Sequence, residues 1–306
     1  MNLEYREVDF RNTVLDKRFL VEKRIDAGGM SLLYYGKDLS TRCRIVIKIC
    51  RSEEERGAFE QESRILRSLH HPHIQRIIGS GSIDGYPYYA TPFYGSQNFR
   101  EFLSDKTILP EMDLLGYFLQ ISAAVAYLHK RKILHNDLKP QNIIVQDENC
   151  LTLSDFGLAC RAPLRKYIAA EQKNIWGSPV YLAPELPQGF SPSFASDVYA
   201  LGVILFILAL GFPPFYHDDL DTLIRMHQTE EPPHPSDLSD SISKELERIM
   251  LRAIAKSPAQ RYTNAGKLHA AIQTYIQKDR QRIEKNTLCR HIENHFSNQE
   301  KTRHIP

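Results

Sequence analysis

The sequence predicts a two-lobed α+β protein: a small strand-rich lobe carrying one helix, followed by a larger lobe built mainly of helices. Two observations carry that expectation. From Phe19 to about Tyr94 short β-branched and aromatic runs alternate with turn residues, whereas beyond Tyr94 the apolar spacing lengthens to the helical period. A third sets the scale, since 306 residues with 42% hydrophobic content can bury a substantial core as one large or two small domains.

Residues 1–18 precede the first strand and read as an N-terminal extension. Strands are expected over Phe19–Ile25, Leu32–Tyr35, Arg44–Cys50, Ile74–Ile83 and Tyr86–Phe93. One helix interrupts them at Ser52–Leu69, where Phe59, Ile65, Leu66 and Leu69 recur among Glu54, Glu55, Glu60, Glu62 and Arg64. His71-Pro72 ends it, because the residue before a proline is pushed out of the helical region. The small lobe is thus residues 19–93, and the large lobe, 94–277, opens after a junction near Thr91–Ser96 where a cleft is expected. Helices follow at Phe99–Leu103, Met112–His129, Asp197–Leu210, Leu220–His227, Lys244–Ala255 and Gly266–Gln277, with short strands at Ile143–Gln146 and Cys150–Ser154. The apolar run Val198–Phe212 is 15 residues long, short of the about 20 a bilayer crossing needs. It reads as a buried helix capped by Ser196-Asp197 and closed near Gly211-Phe212-Pro213-Pro214. The tail 278–306 holds seven Lys/Arg and four Asp/Glu, with Ile283, Leu288, Ile292 and Phe296 at near-helical intervals. It reads as a solvated helix, with partner binding as the alternative.

Charge excludes some partners. With 39 Lys/Arg against 37 Asp/Glu the net charge is +2, which makes no case for nucleic acid or an anionic membrane. Cys43, Cys50, Cys150, Cys160 and Cys289 show neither a C-x-x-C pair nor metal-ligand spacing, and suggest free thiols in a reducing cytosol. Met1–Asp9, carrying Glu4, Arg6, Glu7 and Asp9, lacks the apolar core of a signal peptide. A cytoplasmic place is expected, and a protein exported into a host cytosol would look the same.

The chemistry concentrates in His135-Asn136-Asp137-Leu138-Lys139-Pro140-Gln141-Asn142, followed 13 residues after Asn142 by Asp155-Phe156-Gly157. Asp137 can orient an attacking hydroxyl and take its proton, Lys139 can neutralise a moving phosphoryl group, and Asn142 with Asp155 can hold magnesium ions against nucleotide phosphates. Upstream, Gly28-Gly29 sits between two strand-like runs, where glycine lets backbone N–H groups approach phosphate oxygens. Ile45-Val46-Ile47-Lys48 is a strand with a lysine, and Glu62 follows 14 residues later on the predicted helix. A snorkelling edge lysine and a surface ion pair are the plain alternatives for these two.

These segments resemble the protein kinases, with H-R-D-x-K-x-x-N, D-F-G and V-A-I-K patterns, over about Phe19–Gln277. Ala183-Pro184-Glu185 adds the end of the activation segment and argues against a small-molecule phosphotransferase on the same fold. The resemblance implies the two-lobed kinase fold with an antiparallel small-lobe sheet, and an enzyme that moves the γ-phosphate of Mg-ATP, with manganese as an alternative metal, to protein hydroxyls. It implies catalytic roles for Asp137 and Lys139 and metal binding by Asn142 and Asp155. Nucleotide contacts fall to Ile25, Gly28, Gly29, Leu33, Val46, Lys48, Glu62, Thr91, Phe93, Tyr94 and Ile144. Lys139, two after the acid, is the serine/threonine form, and Gly-Gly-Met-Ser resembles the loop of bacterial serine/threonine kinases. Glu185 would pair with Arg261, Asp197 would anchor the catalytic loop, and Ser178 stands where a threonine usually bonds the catalytic acid and lysine.

The departures are informative. Asn136 replaces the arginine that binds an activation-segment phosphate in many kinases, and Leu158–Gly177 contains no serine or threonine, leaving Tyr167 as its only hydroxyl. Activity independent of phosphorylation there is expected. Gln141 and Asn98 replace acids that favour basic substrates, so a strong preference for upstream arginine is not expected. Thr91, a small gatekeeper, would leave the back of the pocket open. Only the middle glycine of G-x-G-x-x-G survives in Asp26-Ala27-Gly28-Gly29-Met30-Ser31, and Val46 stands for alanine above the adenine. These last changes, together with Asn136, favour an alternative, a pseudokinase scaffold that binds partners with little catalysis.

Overall fold

A computed structural model describes residues 9–27, 31–104, 111–162, 178–279 and 281. The small lobe is a six-stranded antiparallel sheet in the order β1-β2-β3-β4-β6-β5, comprising β1 (Val14–Leu15), β2 (Phe19–Ala27), β3 (Ser31–Asp38), β4 (Arg44–Cys50), β5 (Gly79–Ile83) and β6 (Tyr86–Pro92), with helix α1 (Arg56–Arg67) between β4 and β5. Alternation of side chains decides what each face does. On β4, Ile45, Ile47 and Ile49 are buried in one apolar cluster with Tyr34, Tyr88 and Ala90, which leaves Val46 and Lys48 to the opposite face. Phe10, in the segment before Phe19, belongs to that cluster and packs edge-on against Tyr34 and Tyr86, with ring centroids 6.4 and 6.0 Å away. Its apolar surface and the two bridges of β1 extend the lobe N-terminally.

Several boundaries move from the sequence expectation. Helix α1 starts at Arg56 rather than Ser52, because residues 53–55 form a turn. The strand expected from Ile74 begins at Gly79. Ile74 instead makes a lone parallel bridge to Leu153, and the Gln75 amide donates to Leu153 O at 2.9 Å, which stitches the lobes together.

The large lobe runs β7 (Gln97–Asn98), α2 (Phe99–Ser104), α3 (Glu111–Lys130), β8 (Ile133–Leu134), β9 (Ile143–Asp147), β10 (Cys150–Leu153), β11 (Cys160–Arg161), α4 (Phe194–Leu210), α5 (Leu220–Thr229), α6 (Pro235–Leu238), α7 (Lys244–Ala253) and α8 (residues 265–279). Its two small sheets, β10-β9-β7 and β11-β8, were short enough to escape periodicity for β7, β8 and β11. Helix α4 is apolar all round because it is the centre of the lobe, with Val198, Tyr199, Leu201 and Val203 through Phe206 fully buried. Ser196-Asp197 is not its cap. Ser193 holds that place, in a capping box closed by Ser196, while Asp197 lies inside the first turn with its carboxylate buried. Gly211 ends the helix in a left-handed conformation at φ 83°. No helix among the described residues is long and apolar enough to cross a membrane.

Candidate active site

The sheet register builds one wall of the interlobe cleft. Antiparallel partners share a face, so Leu33, Lys48 and Tyr89 form one row across β3, β4 and β6, and Tyr35, Val46 and Thr91 form the next. All six line a cleft of about 690 Å³. Ile25 from β2, Phe93 and Tyr94 from the junction and Ile144 from β9 add to its apolar lining. Gly28 and Gly29 lie outside the described residues. The cleft is therefore where the other predicted nucleotide contacts meet, and it is apolar at the junction end and charged at the far end, as a nucleoside triphosphate is.

The charged end starts with Lys48. Its ammonium donates to both oxygens of Glu62, at 2.8 and 2.9 Å, with side chains 16% and 4% exposed, so the pair is sheltered but open on the cleft side. Glu62 reaches it because Phe59, Glu62 and Leu66 share the buried stripe of α1. Tyr89 escaped sequence reasoning, although its place two residues before Thr91 puts it on the same face. It stands further from the junction than Thr91, in the region a small gatekeeper was expected to leave open. Burial first, then the charge of Glu62, pushes its phenol well above the usual tyrosine value, so it donates to Glu62 Oε1, at 2.8 Å.

The catalytic loop faces this end from below. Lys139 Nζ donates to Asp137 Oδ2 at 2.8 Å, and Asn142 Nδ2 donates to the same oxygen and to Asp137 O, each at 2.8 Å. Asp137 Oδ1 is buried and without a hydrogen-bond partner. A buried carboxylate oxygen left in this state is poised to accept a proton donor. Ser178 borders a small cavity with Asp137, and its side chain bonds to neither Asp137 nor Lys139. Asp197 supports the loop from α4: its Oδ2 accepts from His129 Nε2 and the His135 amide, both at 2.9 Å, and its Oδ1 from the Asn136 amide at 3.0 Å. Ala265 N–H donates to His129 Nδ1 at 3.0 Å, which leaves the His129 proton on Nε2. Asn136 itself is left-handed at φ 64°, a conformation these bonds hold.

Asp155 is also left-handed, at φ 55°, and is exposed to the cleft, whereas Phe156 is fully buried with its ring 4.8 Å from His135. Burial pushes the His135 pKa down, so the ring is neutral, and its Nε2 lies 3.2 Å from Ser154 O. A carboxylate and an amide oxygen in one cleft suit a hard divalent cation, and Asn142 and Asp155 both line it. Among the described residues no cluster of three His, Cys, Asp or Glu could hold a metal alone.

Beyond the site, Arg261 is 1% exposed and forks onto Glu185, Nη1 to Oε1 and Nη2 to Oε2 at 2.8 Å each. Asn136 Nδ2 donates to Leu158 O at 2.9 Å and to Cys160 Sγ at 3.2 Å, directly joining the catalytic loop to the start of the activation segment. The stretch 163–177, with Tyr167, and the tail from 282 lie outside the described residues.

A two-lobed fold with this cleft and loop defines a protein kinase, and the model of the protein kinase domain matches residues 19–276: the chain belongs to that family. It is similar to the probable serine/threonine-protein kinase PknB of Lactococcus lactis, 30% identical over 274 residues that make up 88% of this chain and 43% of the relative. The serine/threonine-protein kinase PrkC of Bacillus subtilis is also 30% identical, over 86% of this chain and 41% of its own length. PknB of Mycobacterium leprae is 28% identical over 84% and 42%. The chain thus spans about two fifths of the length of these relatives.

Proposed function

We propose that this domain is an ATP-dependent serine/threonine protein kinase whose activity does not depend on phosphorylation of Leu158–Gly177. The observation that carries the reading is Asp137: Oδ2 is held by Lys139 and Asn142 while Oδ1 is buried and unpartnered. In the transfer, a serine or threonine hydroxyl gives its proton to Oδ1 as its oxygen bonds the γ-phosphorus. The bond to the β-phosphate oxygen breaks, with its electron pair leaving on ADP. Lys139 is 2.8 Å from Oδ2 and offers its charge to the transferred group; Lys48, braced by Glu62, does so for the α- and β-phosphates. Asn142 and Asp155, which both line the cleft, would hold magnesium, whose charge would offset that of the nucleotide phosphates.

Independence from segment phosphorylation is supported by Asn136, whose amide bonds the segment backbone where an arginine would need a phosphate. For substrates, a groove of about 840 Å³ shares Gln141 with the nucleotide cleft. Its described lining carries no carboxylate and one guanidinium, Arg100, which supports the expectation that upstream arginine is not favoured. Val46 on the ceiling of the cleft favours the second reading, a scaffold with little catalysis.

Transfer of labelled γ-phosphate from Mg-ATP to a generic protein, compared with Asp137→Ala, separates the two. Label above the variant, unchanged by phosphatase pretreatment, is expected. Wild-type protein that binds nucleotide yet labels no better than Asp137→Ala would establish the scaffold. Loss of turnover on phosphatase treatment, restored by a phosphate mapped to Leu158–Gly177, would refute the independence.

A further inference from the structure

The Lys48–Glu62 pair has a third member. Glu62 Oε1 takes hydrogen bonds from both Lys48 Nζ and the Tyr89 hydroxyl, each at 2.8 Å, and Oε2 takes the other lysine bond at 2.9 Å. Tyr89 is 2% exposed, and the ladder sets it directly opposite Lys48, with the ammonium 5.9 Å from the ring centroid. The same ring lies 5.3 Å from that of Phe59, one turn before Glu62 on α1. One side chain of the sheet therefore touches the lysine, the carboxylate and the helix that carries the carboxylate. A buried carboxylate needs its lone pairs filled, and a phenol fixed in a strand fills one of them in a single orientation of the helix.

We propose that Tyr89 is a positioning residue that sets α1 against the sheet with Glu62 on Lys48, so that the phosphate-binding lysine is aligned by the core itself. The proposal rests on Lys48 being a phosphate ligand. It explains how a chain whose Leu158–Gly177 stretch lacks serine and threonine keeps α1 inward: the restraint comes from β6, at 27 residues' separation from Glu62, and needs no added phosphate. It also places an aromatic ring in the space beyond Thr91.

The test is calorimetric titration of Mg-ATP into the wild-type chain, Lys48→Ala, Tyr89→Phe, Tyr89→Met, Glu62→Ala and Tyr89→Phe/Glu62→Ala, with melting of each ligand-free protein. Tyr89→Phe keeps the ring and deletes the donor; Tyr89→Met keeps bulk without either. Both should weaken Mg-ATP about tenfold, the loss expected for one hydrogen bond to a charged group, and kcat/KM should fall mainly through KM. In the Glu62→Ala background Tyr89→Phe should change nothing further. Wild-type affinity in Tyr89→Phe, or an equal loss with and without Glu62, would overturn the proposal and leave the Lys48 reading standing. Unchanged affinity in Lys48→Ala would instead remove that reading and the proposal with it.

Discussion

Replacing Asp197 by asparagine probes how the catalytic loop is held. The carboxylate is 2% exposed and accepts three hydrogen bonds, two at Oδ2 and one at Oδ1. An asparagine has one acceptor oxygen. If its Nδ2 takes the Oδ2 place, it meets the His129 and His135 N–H groups head-on; if the amide is flipped, it meets the Asn136 N–H. Either way at least one buried donor loses its partner, at about 1–3 kcal/mol, and the remaining bonds lose their charge. A total of about 3–5 kcal/mol follows for breaking a buried charged network. At roughly 2–4 °C per kcal/mol for a domain this large, Tm should fall by about 10 °C, read by scanning calorimetry. Either orientation frees one backbone amide of the loop, that of His135 or that of Asn136, the residue at φ 64°, and a displacement of Asp137 of about 1 Å would lower turnover roughly a hundredfold. Acid sensitivity adds a second readout. Burial pushes the Asp197 carboxyl up, but the His129 hydrogen bond and the His135 amide outweigh it and hold it below 3.8. A carboxyl lowered by folding adds stability above pH 3.8 and loses it as the pH falls below that value. This part of the acid dependence should vanish in Asp197→Asn. A melting temperature within a degree or so of wild type, with normal turnover, would refute the role given to Asp197.

Three further outcomes are expected. Gly95, at φ 149° against Val145 O, has no room for a Cβ and a backbone that other residues avoid, so Gly95→Ala should distort the junction and weaken Mg-ATP binding, measured by titration. Glu185→Ala should cost about 3 kcal/mol in urea unfolding, the low end for a broken buried pair, because Arg261 keeps the carbonyls of Ala195, Ala255 and Lys256. Burial, aided by the charge of Lys256, pushes His227 down to about 4, so the unfolded chain binds its proton first. Stability should therefore fall from pH 6.5 to about 4 and then level, by on the order of 3 kcal/mol, with a flatter profile in His227→Gln.

Much of the site is legible in one dimension because its chemistry is local. Asp137, Lys139 and Asn142 occupy one short loop, and the offset alone brings Lys139 and Asn142 to the same oxygen of Asp137. Period-two alternation likewise separates Val46 and Lys48 from the isoleucines between them, since a strand offers only two faces. The start of α4 is less legible: Ser196-Asp197 has the chemistry of a cap but lies inside the helix, because Ser193, with extended backbone at φ −144°, takes that place in a capping box with Ser196.

What the sequence by itself determined is the kinase family, the two-lobed layout and which strand residues share a face, all of which depend on spacings of a few residues. Tertiary structure alone decided that Tyr89 completes the Lys48–Glu62 pair, that Asp197 holds the catalytic loop from 61 and 62 residues away, and that Phe10 belongs to the small-lobe core. Those contacts join groups far apart in the chain, and their partners are selected by packing and by the need to satisfy buried charge, neither of which leaves a periodic mark on the sequence.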